Sequence, residues 1–234
     1  SAGGVLLGEI LNILEPYDIS ALVKTPENYL HVLAESMRYA YADRSFFIGD
    51  PYFAKLDYER LLSKSYASDL QNNILIKKAG RSAEIKPGAF LANEGSHTTH
   101  LSVMDSHGNA VASTITINDT FGSCLAAAGT GVFLNDEMDD FSVKPGEANL
   151  YGLTGGEANA IAPFKRPVSS MSPTIVLLND EPVLSLGAAG GSRIPTSVLQ
   201  VILNMLFIYR DNLRNSVFAP RMHHQWIPDQ LNME

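Results

Sequence analysis

Thr98 and Thr99 open a strand pattern, and no His/Asp charge relay can be assigned around Thr98. A hydroxyl nucleophile needs a base, and one base open to a threonine is its own α-amine. That amine is free only when the chain is cut immediately before the residue. The pair therefore invites self-cleavage at His97-Thr98, followed by attack from an N-terminal Thr98. Other segments could complete such a site. Gly187-Ala188-Ala189-Gly190-Gly191-Ser192 falls between a strand and a helix pattern, where backbone N–H groups can face an anion or a developing oxyanion. The same glycines would also serve a tight turn, and with no GxGxxG spacing and no following P-loop lysine a nucleotide site is disfavoured. Ser169 and Ser170, in a polar loop before a strand, could bind a carboxylate or close the turn. Asn135-Asp136-Glu137-Met138-Asp139-Asp140 carries no His or Cys and lacks EF-hand spacing. It suits a substrate ammonium or a solvated acidic turn. His223 and His224 have no partner at zinc spacing and, being adjacent, point to different sides, so they read as packing or hydrogen-bonding groups.

The elements that must position these residues change character along the chain. Val5 to Leu14 reads as a buried helix stopped by Pro16. Leu30, Leu33, Met37 and Tyr41 mark an amphipathic helix from Asn28 to Asp43, with Asp43-Arg44-Ser45 ending it. A further helical pattern runs from Asp57 to Ile76. Ala79 to His97 is a Gly/Pro-containing polar loop, long enough to serve as a site of cutting. After it the period drops to two. Thr99–Met104 and Ala110–Ile117 read as strands joined by an Asp105–Asn109 turn; Val132–Leu134, Thr174–Leu178 and Val183–Leu186 are further strands, the last two joined by Asn179-Asp180-Glu181-Pro182. A helix from Ile194 to Tyr209 follows Gly190-Gly191. Helices, then strands, then a helix predict a layered α+β protein.

The chain has 234 residues, 45% of them apolar and 18% charged, which suits one or two globular domains. A net charge of −8 argues against a nucleic-acid partner. The single cysteine, Cys124, permits no intrachain disulfide and reads as a small buried or half-buried filler. No signal-peptide pattern opens the chain, the Ile194–Tyr209 helix reads as too short and too polar to span a bilayer, and both ends read as cut edges of something larger.

Several motifs stand in a specific order: Ala40-Tyr41-Ala42-Asp43-Arg44-Ser45, Thr98-Thr99-His100, Thr116-Ile117-Asn118, Met138-Asp139-Asp140-Phe141-Ser142, Ser169-Ser170-Met171-Ser172-Pro173-Thr174, Gly190-Gly191-Ser192-Arg193 and His223-His224-Gln225-Trp226. In this order they resemble the γ-glutamyltranspeptidase (glutathione hydrolase) family of N-terminal-nucleophile hydrolases. The resemblance implies part of a four-layer αββα sandwich. It implies that residues 1–97 are the end of a large-subunit region with its processing loop, and 98–234 the start of a small, catalytic subunit. Thr98 becomes the nucleophile, and Thr116 hydrogen-bonds it. Asn118, Glu137 and Asp140 hold the amino end of a γ-glutamyl group, Ser169 and Ser170 meet its α-carboxylate, and Gly190 and Gly191 supply oxyanion N–H groups. Pro145 to Gly156, with Tyr151, resembles a lid loop found in some bacterial members.

The implied partners are a γ-glutamyl donor such as glutathione, an amino-acid, peptide or water acceptor, and the two subunits of one precursor. No cofactor or metal is implied, and the implied location is periplasmic or extracellular. The alternatives are a relative acting on another acyl group, such as a cephalosporin side chain, or an inactive fragment or binding module. Two departures from the family pattern stand out. Ala188-Ala189 replaces an expected Ser-Pro, and the arginine expected to pair with the α-carboxylate belongs to a region this chain lacks. Lys165 and Arg166 are expected to face solvent and Arg193 to make a structural pairing, so the chain alone is expected to be catalytically feeble.

Overall fold

A computed structural model describes residues 1–85, 98–210 and 212–234. Residues 86–97, which include most of the expected processing loop and His97, lie outside the described residues. Four helices and four strands carry the architecture: α1 (Gly3–Leu14), α2 (Pro26–Phe47), α3 (Lys64–Gln71), β1 (Thr98–Met104), β2 (Ala110–Thr116), β3 (Thr174–Leu178), β4 (Glu181–Leu186) and α4 (Ile194–Leu203).

The helices form one layer. Leu6, Ile10 and Ile13 of α1, Val32, Leu33 and Met37 of α2, and Val198, Leu199 and Leu203 of α4 are all essentially inaccessible and belong to one core. Each such side chain contributes about 1.5–3 kcal/mol by burial. β4 lies against this layer through Leu184 and Leu186, as period-two alternation requires, while the Ser185 hydroxyl turns the other way to donate to the Val111 carbonyl of β2 (2.9 Å). The order is therefore helices, β3–β4, β1–β2: three successive layers of an αββ arrangement. The outer face of the β1–β2 hairpin, with Leu101, Val103, Val111 and Ile115, is exposed.

The hairpin fixes which residues meet. Its turn, with Asp105 accepting from the backbone of His107 and Asn109, sets an antiparallel register in which Thr98 faces Thr116 and His100 faces Thr114. In β3–β4, Asn179 and Asp180 both take positive φ, 52° and 65°, which matches the strand twist of a two-residue turn; Glu181 and Pro182 already belong to β4.

Several boundaries differ from the sequence reading. α2 does not end at Asp43 but runs to Phe47: Asp43, Arg44 and Ser45 are buried within it, and a helix is ended by lost backbone pairing, not by charge. The Asp57–Ile76 pattern breaks after Leu61. Ser63 caps a new helix there, accepting from the Tyr66 N–H (3.2 Å). Val132–Leu134 forms only an isolated bridge through Phe133. Cys124 is exposed, in a turn with φ 60°, and is no filler. The helical run Gly191–Ile208 reaches 18 residues with mean hydropathy 1.2, longer and more apolar than expected, yet 61% of it is buried inside the protein, as in a core helix.

The stretches on either side of position 97 share this core. The Tyr41 hydroxyl donates to the Ser192 carbonyl. Arg38, already paired with Glu35, reaches Asp229 (3.3 Å); Asp229 accepts from the Ser82 N–H (3.0 Å), and the Trp226 indole donates to the Ser82 carbonyl (3.0 Å). His224 lies within this network and His223 on Thr196 and Gln225, on different sides as expected. Burial pushes both imidazoles down to about 4, so both are neutral at physiological pH.

Candidate active site

Thr98 begins β1 and its hydroxyl donates to the Thr116 hydroxyl across the hairpin (3.2 Å). Thr116 Oγ1 in turn accepts from the Asn118 N–H (2.9 Å). The left-handed backbone of Asn118 (φ 74°) turns the chain away from β2, and its carbonyl accepts from the Tyr151 hydroxyl (2.6 Å). Thr98, Thr116, Asn118 and Tyr151 thus share one wall of a cavity. Asp140, Ser169, Ser170, Met171, Gly191 and Ile194 complete its lining. Eight of the ten residues singled out from sequence line it; Glu137 and Gly190 do not.

Each wall has a structural reason. The Ser169–Ser172 loop is tied to the start of α1, where the Ala2 N–H donates to the Ser169 carbonyl (2.9 Å), and a side chain on Gly3 would collide with Ser172. Asn159 links this loop to the acidic turn: its Nδ2 donates to the Asp140 carbonyl (2.7 Å) and its Oδ1 accepts from the Val168 N–H (3.2 Å). The Gly190-Gly191 turn uses φ 129° and 52°, where glycine is favoured. A Cβ on Gly191 would lie 2.3 Å from the Tyr151 ring. Gln225 fastens both neighbours, accepting from the Ser192 hydroxyl (2.8 Å) and donating to the Tyr151 carbonyl (3.1 Å).

The cavity measures only about 10 Å³, room for roughly one water. Tyr151, itself almost fully buried, forms part of its wall.

Asp140 is the charged group in this wall. Burial first, and the Glu137 carboxylate second, push its carboxyl up to about 7, while the positive charge of Arg44 pulls the other way. Burial also raises Glu137. The two carboxyls are close enough to titrate as a pair.

Sequence reasoning missed Arg44, Asn159 and Gln225. The Arg44 side chain is buried at the end of α2, where Nη2 donates to the Val168 carbonyl (3.3 Å) and the Ser170 hydroxyl (3.4 Å). The named cations sit elsewhere. Lys165 donates to the Ala160 carbonyl (2.7 Å), and Arg166, though 64% exposed, forms a two-point pair with Asp50 rather than a purely solvated end. Among the described residues no group of three or more His, Cys, Asp or Glu side chains could hold a metal.

The whole chain, residues 1–234, matches the family model described as Gamma-glutamyltranspeptidase. The chain belongs to the γ-glutamyltranspeptidase family. It is 48% identical over 234 residues to the glutathione hydrolase proenzyme of Escherichia coli K12, covering 100% of this chain but 40% of that protein. The chain thus spans about 40% of the length of such relatives. Among solved structures it is similar to a threonine-to-alanine mutant of Helicobacter pylori γ-glutamyltranspeptidase (58% identity, TM-score 0.56, covering 58% of this chain and 72% of that one). A cephalosporin acylase from Bacillus halodurans is similar in fold (24% identity, TM-score 0.74, covering 95% of this chain and 37% of that one). The αββ layering and these γ-glutamyltranspeptidase and acylase relatives agree on an N-terminal-nucleophile hydrolase fold.

Proposed function

We propose that this chain is the segment around the processing point of a precursor that cuts itself between His97 and Thr98 and then hydrolyses or transfers γ-glutamyl groups. Residues 1–97 are then the end of one subunit and 98–234 the start of the other. The observation that carries the reading is Thr98 at the head of β1, bonded to Thr116, in one cavity with an acidic carboxyl, two serine hydroxyls and a glycine turn. The relatives' names as glutathione hydrolase proenzymes support both halves of it. Placement in the periplasm or outside the cell belongs to the same proposal.

The freed Thr98 amine takes the hydroxyl proton as Oγ1 adds to the γ-carbonyl carbon. N–H groups of Gly190 and Gly191 receive the negative oxygen. Collapse expels the donor's amine, which leaves with the proton carried by Thr98, and a γ-glutamyl ester remains. Water or an amine then attacks the ester carbon, Thr98 regains its proton, and glutamate or a new γ-glutamyl compound departs. Asp140 with Asn118 and Glu137 holds the substrate ammonium, Ser169 and Ser170 its carboxylate, and Tyr151 closes over the bound group. These pocket types favour glutamyl over an uncharged acyl chain. Purified full-length precursor, incubated and then given a γ-glutamyl anilide, should show Thr98 as a new N-terminus by mass spectrometry and release the aniline. An intact, inert chain would sink the reading.

Asp140 must be ionised to hold an ammonium. Its partners are Glu137 and Asp139 on its own turn and Arg44 on α2. kcat/KM for the anilide is therefore expected to fall as pH drops below about 7. Glu137→Gln removes a like charge, lowers the Asp140 pKa and should move that limb to lower pH. A limb that stays in place would disconnect the pair from binding.

Gly191→Ala should cost about 100-fold in kcat/KM, because the new methyl must push Tyr151 or the oxyanion turn aside. The double variant Gly191→Ala, Tyr151→Ala removes the colliding ring and should recover part of the loss. Undiminished activity in the single variant would contradict the packing.

A further inference from the structure

Arg44 is a buried cation with too little to hold it. Its side chain is in the last turns of α2, 5% exposed as a residue, beneath the Val168–Ser170 loop. Guanidinium groups only donate, and burying one uncompensated is costly. Here Nη2 makes two long contacts, to the Val168 carbonyl and the Ser170 hydroxyl, and Nε has no partner. No carboxylate forms a direct ion pair with it among the described residues; Asp140 acts on it only through its charge. The site thus holds positive charge that is only partly answered.

The contact with Ser170 has a directional consequence. A hydroxyl that accepts from a guanidinium must send its own proton elsewhere. Ser170 Oγ has no acceptor of its own among the described residues, and Ser170 lines the cavity. A carboxylate arriving there would take that proton in a bond strengthened by the cation behind it, since hydrogen bonds polarise one another in series.

We propose that Arg44 is a positioning residue of the donor site, orienting and polarising Ser170 so that its hydroxyl donates to the α-carboxylate of the γ-glutamyl substrate. The inference rests on the donor reading above. It also makes α2, a helix of the residue 1–97 stretch, part of the recognition of a substrate that reacts with Thr98.

The test uses processed full-length enzyme with wild type, Arg44→Met, Arg44→Lys and Ser170→Ala, each checked for a Thr98 N-terminus. Three anilides are compared: γ-glutamyl, 4-aminobutanoyl, which lacks the α-carboxylate, and glutaryl, which lacks the α-amine. Arg44→Met is expected to raise KM for the γ-glutamyl anilide by about 10- to 100-fold, the range for losing a hydrogen bond to a charged group, with kcat little changed. The same variant should change the 4-aminobutanoyl reaction by less than about threefold, retain its penalty on the glutaryl donor, and be partly rescued in Arg44→Lys. Ser170→Ala should reproduce the donor dependence and leave Arg44→Met without further effect. Equal losses on all three donors, or Arg44→Met and Ser170→Ala penalties that simply add, would overturn the proposal and make Arg44 a packing residue. If Arg44→Met fails to process, Arg44→Lys and Ser170→Ala decide on the same criteria. Failure of the wild type to act on the γ-glutamyl anilide would instead overturn the donor reading itself.

Discussion

Thr98→Ala in the full-length precursor is expected to remain one polypeptide and to show no turnover. The variant removes only the hydroxyl and one methyl of a half-buried side chain, so the hairpin register and core should survive. On the proposed reading, what disappears is the atom that adds to the His97 carbonyl and later to the γ-carbonyl of a donor. Loss of a nucleophile costs about 10⁴-fold or more in kcat, and here the loss is compounded because the amine that would act as base is never released. Thr98→Ser keeps the oxygen and should still process, more slowly. Thr116→Ala tests the neighbouring hydroxyl, which already accepts from Thr98. Intact mass and N-terminal sequencing decide the matter. Two chains from Thr98→Ala, with Thr99 or another residue at the new terminus, would show that the nucleophile had been misassigned.

Asp140→Ala in the processed protein should weaken γ-glutamyl donors by about 2–5 kcal/mol in kcat/KM, roughly 30- to several thousand-fold, the cost of stripping one partner from a buried charge pair. Asp140 is only 7% exposed and its turn is fixed by Asn159, so its carboxylate is held in place at the cavity wall. Asp140→Asn should lose nearly as much, since the amide keeps shape but not charge. The glutaryl donor, lacking the ammonium, should be almost indifferent to either change. Unchanged steady-state kinetics with the γ-glutamyl anilide would reduce the acidic cluster to a surface turn.

What could be read from sequence was whatever local chemistry dictates. Alternation and a polar five-residue turn place β1 and β2, and their register then brings Thr98 to Thr116. The Asn179-Asp180 turn is similarly local, because few residues accept positive φ twice in succession. The roles assigned to Asp140, Ser169 and Gly191 came from the order of motifs, and the cavity that gathers them depends on contacts between distant segments. Periodicity cannot announce such contacts. Arg44 shows the limit most clearly: at the end of an amphipathic helix a charged triplet reads as a stop, and only the tertiary packing of the Val168–Ser170 loop shows it buried and bonded. Cys124 failed in the opposite direction, since an apolar neighbourhood in sequence became an exposed turn in space. Tyr151 was placed in a lid by motif, but its burial against a glycine that can carry no side chain belongs to the fold alone.

The shared core across position 97 has a consequence for how the protein would melt. If the chain is cut there, α1 and α2 belong to one polypeptide and β1 through α4 to another, and what joins them includes the Tyr41–Ser192 bond, the Arg38–Asp229 pair and the shared apolar cluster. The seam is a domain core divided in two, the character of an obligate interface. Unfolding then releases two molecules in place of one, and mass action enters. The transition temperature of the cut protein should rise with protein concentration, whereas that of uncut Thr98→Ala should not. A single peptide bond would thus change the molecularity of denaturation.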